Sequence, residues 1–129
     1  MITEDYCSLE VAHLLKEKGF DEPCEVWYSE YISQFGGETC TSIEFDNHNR
    51  FEKDYKFLFR APTHQMAMKW LRGKGFHITI DCIDVTETGL VFTIKIVDMK
   101  SFFEYRIDYD NTYEKAVEAG IKYCLENLI

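Results

Sequence analysis

The stretch from Phe76 to Leu128 decides the fold: FHITIDC (76–82), LVFTIKI (90–96), FEYRIDY (103–109), then TYEKAVEAGIKYCLENL (112–128). In the first run Phe76, Ile78, Ile80 and Cys82 share one side, and His77, Thr79 and Asp81 the other. In the second, Leu90, Phe92, Ile94 and Ile96 oppose Thr93 and Lys95. In the third, Phe103, Tyr105, Ile107 and Tyr109 oppose Glu104, Arg106 and Asp108. A period of two with one polar side predicts three antiparallel strands covered on one face. The last run changes period. Tyr113, Ala116, Val117, Gly120, Ile121, Cys124, Leu125 and Leu128 form a wide apolar stripe at helical spacing, the cover such a sheet requires.

The opening of that helix recurs. Ser8, Thr63 and Thr112 each stand where an N-cap belongs, and each is followed four residues later by Ala: Ala12, Ala67 and Ala116. A hydroxyl cap accepts an N–H of the first turn, and a small fourth residue permits close approach to a support. The spacing predicts a first helix from Leu9 to Lys18, stopped by Gly19, and a second from His64 to Arg72, stopped by Gly73 or Gly75. Both lead through Lys-Gly-Phe (18–20 and 74–76). Gly takes the left-handed turn that leaves a helix, and Phe re-enters the core.

Between these helices, residues 24–33 read as a strand, with Val26, Tyr28 and Ile32 opposite Trp27 and Tyr31. Gly36-Gly37 marks a turn. Thr41, Ile43 and Phe45 opposite Ser42, Glu44 and Asp46 predict a further strand, ending in a polar tip at Asp46-Asn47-His48-Asn49. Tyr55–Arg60 is a short strand. Thr86-Glu87-Thr88-Gly89 is a hairpin turn. The fold class expected is α+β: a two-layer sandwich, with a mostly antiparallel sheet of four to six strands and about three helices on one face. Residues 1–129 read as one such domain, long enough to bury roughly two thirds of its unfolded surface.

Composition narrows the function. Apolar residues make up 46% and the net charge is −9. That charge repels phosphates, and no basic stripe offsets it, so direct nucleic-acid binding is not expected. Lys69, Arg72 and Lys74 are the densest basic group, and they sit where cations suit a helix C-terminus. No run approaches the roughly 18 apolar residues of a membrane span. The acidic start, Met1–Asp5, does not read as a signal peptide. Five Cys with no CxxC pair suit a reducing cytoplasm.

Chemical motifs are sparse. His13, His48, His64 and His77 with the cysteines are the candidate metal ligands, but Cys7 and His13 lack a zinc-finger spacing. Asp46, Asn47 and Asn49 lack the distant Glu of a calcium loop. No nucleophile elbow occurs, and Gly73-Lys74-Gly75 follows a helix where a phosphate cradle would precede one. Asp81, Asp84, Glu104 and Asp108 lie on or near the polar sheet side that carries Lys95 and Arg106, as solvated ion pairs do. No catalytic residue, metal site or cofactor is therefore assigned. Trp27, Tyr31 and Phe35 are the candidate interaction surface, because not every ring in that stretch fits inside. The plainer alternative has the second helix, with Met66, Trp70 and Leu71, packing over them.

Three segments carry a resemblance: SLEVAHLLKEKGF (8–20), APT (61–63) with MAMKWLR (66–72), and TYEKAVEAGIKYCLE (112–126). Together they resemble a family of small uncharacterised proteins from Bacteroides-type gut bacteria, their prophages and mobile elements. The likeness spans most of the chain except residues 34–55. It implies an origin and a cytoplasmic setting, and no catalytic residue. The expectation is a non-enzymatic accessory or interaction protein of phage or mobile-element origin, its partner another protein. The alternatives are an acidic nucleic-acid mimic that inhibits a basic host enzyme, and a small-molecule-binding protein or enzyme. A homodimer through a sheet face or edge is left open.

Overall fold

A computed structural model describes residues 4–32, 39–44, 58–85, 87, 89–110 and 112–129, with the backbone alone at 31, 32, 39–44, 85 and 108–110. Its elements are α1 (Leu9–Glu17), β1 (Trp27–Ile32), β2 (Thr39–Glu44), β3 (Leu58–Arg60), α2 (His64–Gly73), β4 (Phe76–Val85), β5 (Gly89–Asp98), β6 (Glu104–Asp110) and α3 (Tyr113–Tyr123). A π-helical turn, Cys124–Leu128, continues α3. The fold is α+β. The strands do not form the single sheet of four to six expected from sequence: the described six divide into two three-stranded antiparallel sheets, ordered β2-β1-β3 and β4-β5-β6. The chain clusters into two compact units, Tyr6–Pro62 and Met1–Asp5 with Thr63–Ile129. The Gly36-Gly37 turn, the 46–49 tip with His48, and Phe35 lie outside the described residues.

In the larger unit the alternation works as read at its centre. Ile78 pairs with Ile96 and Ile80 with Ile94, and Ile78, Ile94 and Ile96 are buried. Ala116, Val117 and Ile121 of α3 are buried as well, and α3 packs on β4, β5 and β6 with α2 beside it. Gly120 sets the separation of helix and sheet. A methyl group there would stand 3.1 Å from Cγ2 of Ile94 and 3.2 Å from Cγ2 of Ile78, closer than the roughly 3.5–4.0 Å at which carbon atoms pack best. The strict alternation fails at both hairpin ends. Leu90, expected inside, is 63% exposed while Val91 is buried. Phe103, expected to open the third strand on the core side, precedes β6 and is 58% exposed. A register shift between Phe92 and Ile94 adds a residue on β6.

All three caps form. Ser8 Oγ accepts from the Val11 N–H at 3.2 Å, Thr63 Oγ1 from Met66 at 3.2 Å and Thr112 Oγ1 from Lys115 at 3.3 Å. Ala12, Ala67 and Ala116 are buried. Gly19 and Gly75 leave their helices at φ +87° and +102°, the left-handed turns the Lys-Gly-Phe repeats required.

In the smaller unit β1 is the central strand, pairing Trp27 with Glu44 of β2 and with Arg60 of β3. α1 lies against β3: the His13 ring stacks on Phe59 at 3.9 Å, and Lys16 Nζ sits 4.6 Å from the Phe59 centroid while donating to the Leu58 carbonyl at 3.1 Å. Burial, helped by the nearby Arg60 charge, holds the Lys16 ammonium below its usual pKa. Cys7, Cys24, Cys82 and Cys124 are thiols. Burial pushes the Cys124 thiol up to about 12 and Cys24 up to about 11.

Candidate functional site

The first turns of α2 and α3 lie side by side, and the space between them is a cleft of about 190 Å³. Thr63, His64, Gln65 and Met68 come from the α2 side, and Tyr113, Glu114 and Val117 from α3. Glu4 and Asp5 close the rim, held there because the His64 N–H donates to the Asp5 carbonyl at 2.9 Å. Buried Met68 and Val117 supply apolar wall. The Tyr113 ring is 43% exposed and meets Phe92 edge-on at 6.0 Å.

Beside the cleft, His64 Nε2 and Glu118 Oε2 lie 2.6 Å apart, with only 12% and 24% of these side chains exposed. The pair joins α2 to the second turn of α3 and fixes the width of the cleft. Two helix N-termini point toward this region, each worth roughly half a positive charge. The full charges of Glu4, Asp5 and Glu114 outweigh them, so the cleft is negative. An apolar wall under a negative rim suits a cation carried on an aliphatic stem. At about 190 Å³ the cleft is smaller than the roughly 300–1,000 Å³ of sites that enclose a small-molecule substrate.

Of the three residues expected at an interaction surface, Trp27 is the one whose side chain the structure describes. Trp27 is fully buried, with its indole N–H donating to the Cys24 carbonyl at 3.0 Å and Arg60 over its ring at 5.0 Å. Its ring belongs to the core and offers nothing to a partner. Tyr31 lies in β1 and Phe35 falls outside the described residues. The paired-carboxylate reading stays a surface reading: Arg106 and Glu104 approach to 3.5 Å with both side chains well exposed. His13 meets Glu30 at 2.5 Å, joining α1 to β1.

The sequence offered no signal for the cleft itself. Glu4 and Asp5 read only as part of an acidic start, and nothing in the sequence singles out Glu114 or Glu118. Only the repeated Thr caps marked the two turns that meet there.

The chain matches no protein-family model, no curated protein and no solved structure.

Proposed function

We propose that the chain is a non-enzymatic interaction protein, an accessory of a phage or mobile element, whose acidic cleft takes a lysine or arginine side chain of a protein partner. The observation that carries this reading is the chemistry of the cleft: carboxylates of Glu4, Asp5 and Glu114 around walls of Met68 and Val117. A guanidinium or ammonium finds opposite charge at the rim, and its methylene stem finds apolar contact within. The net charge of −9 adds long-range attraction for a basic partner and speeds encounter.

The test is a titration with tri-arginine peptide, followed by methyl resonances of Met68 and Val117. An uncharged tri-citrulline peptide is the control. Saturable shifts confined to the cleft and lost in Glu114→Gln are expected. Shifts spread evenly over the acidic surface, or equal shifts with citrulline, would refute a shaped cation site.

A further inference from the structure

The β5–β6 turn presents apolar side chains to water on an ordered loop. Phe102 is 81% exposed, and Met99 and Phe103 are also exposed. The loop is held by a closed set of hydrogen bonds: Asp98 N–H to the Phe103 carbonyl at 2.9 Å, Phe102 N–H to the Asp98 carbonyl at 2.8 Å, and Lys100 N–H to the Asp98 carboxylate at 2.9 Å. That last bond, the largest cause, holds the Asp98 carboxyl below its usual pKa. Phe102 has φ +62°, a left-handed conformation that Gly or Asn adopts at little cost and an aromatic residue does not. Two local effects therefore oppose Phe at 102: an exposed ring and a strained backbone. A ring kept against both is explained when it contacts something outside the monomer.

Charge indicates what it contacts. Cations gather at this end of the unit, beside the carboxylates of Asp98 and exposed Glu104. Exposed Arg72 and Lys74 close α2, and the Lys100 stem passes over Gly75, whose added methyl would meet it at 3.6 Å. The acidic cleft lies at the opposite end of the same helices. Tyr113 at the start of α3 borders the cleft, whereas Tyr123 at its end meets Tyr105, which meets Phe103. The 11 residues of α3 span about 16 Å, so a tip cannot reach the cleft of its own chain. The unit thus carries an apolar tip beside Lys100, Lys74 and Arg72 at one end and an apolar-walled slot rimmed by carboxylates at the other.

We infer that the β5–β6 tip of one copy seats in the acidic cleft of a second copy, giving head-to-tail association of this chain. The inference rests on the cleft reading above and adds a second copy of this chain as a further occupant of the cleft. Phe102 enters toward Met68 and Tyr113, while Lys100 meets Glu114 and Asp5. The net charge of −9 opposes association, but at physiological salt charges are screened beyond about 8 Å, and the contact is decided by the local contrast. A contact of this small size is weak, and being heterologous it builds rings or open chains.

Sedimentation velocity over a concentration series up to millimolar tests this on the full chain. The weight-average mass of the wild type should rise with concentration. Phe102→Gly removes the plug and suits the left-handed turn, so it should stay folded with a higher Tm and lose association by about tenfold or more. Glu114→Lys spoils the slot and should lose it equally. Mixed together, the two retain one intact tip and one intact cleft between them, and should form a 1:1 dimer that grows no further. A wild type that remains monomeric, or variants that associate as the wild type does, would overturn the inference. Tri-arginine titration of Phe102→Gly separates the two readings. Cleft shifts that persist there leave the cation site standing when self-association fails, and their absence removes both.

Discussion

Replacing glycine by alanine at two helical positions should give opposite signs, and the contrast measures how tightly α3 sits on its sheet. Gly73 is the last residue of α2, and an added methyl meets nothing within 4 Å. Gly73→Ala should therefore stabilise by about 0.5–1 kcal/mol, through lower entropy of the unfolded chain and better helix propensity. Gly120 gains about the same from propensity. Its new methyl, however, would lie 3.1 Å and 3.2 Å from Cγ2 atoms of Ile94 and Ile78. Both are β-branched, with few rotamers to retreat into. They project from paired strands, so neither moves without its neighbours. Overpacking of this kind costs about 1–3 kcal/mol. The net expectation for Gly120→Ala is destabilisation by about 1 kcal/mol, and a gap of about 2 kcal/mol between the two variants. Urea denaturation followed by far-ultraviolet circular dichroism reads both. If Gly120→Ala stabilises as much as Gly73→Ala, α3 does not pack at the distance described, and the argument for a close helix–sheet contact is wrong.

Ile121 is fully buried in the same interface, so Ile121→Ala should cost roughly 2–5 kcal/mol in the same assay; an unchanged midpoint would reject the helical register. Stability should also fall at alkaline pH. Burial raises the Cys124 and Cys24 thiols from an ordinary value of 9.0 to about 12 and about 11, so the folded chain keeps protons that the unfolded chain releases. Their contribution is complete below about pH 9 and is lost as pH rises toward the folded values. Between pH 8 and pH 10 each should cost about 1.4 kcal/mol, and Cys124→Ala should remove about half of that pH dependence. A Cys124→Ala chain with the wild-type slope would place the loss elsewhere.

Much of the fold was legible because it is written in local rules. Hydroxyl caps at Ser8, Thr63 and Thr112, left-handed Gly19 and Gly75, and the period change between residues 109 and 113 each act over a few residues of chain. The burial of Ile78, Ile94, Ile96 and Ile121 follows from the same short-range pattern. The errors lie where a pattern ends. Leu90 and Phe103 continue the alternation in sequence, yet Val91 is buried in place of Leu90 and Phe103 falls before β6, and no local feature marks either point. Trp27 read as surplus among many rings, yet it lies in the core, with its N–H satisfied by a backbone carbonyl three residues away.

The amino-acid sequence by itself determined the elements, their caps and which side of each strand and helix is apolar, because these depend on neighbours within one or two turns of chain. Only the tertiary structure decided that the six described strands divide into two sheets, that Glu4, Asp5 and Glu114 line one cleft at the first turns of α2 and α3, and that His64 meets Glu118. The cleft and the His64–Glu118 contact join residues roughly fifty or more positions apart. They are selected by the burial of side chains distant in sequence, such as Ile78, Ile94 and Ile121, and no local stretch of the chain holds such a contact.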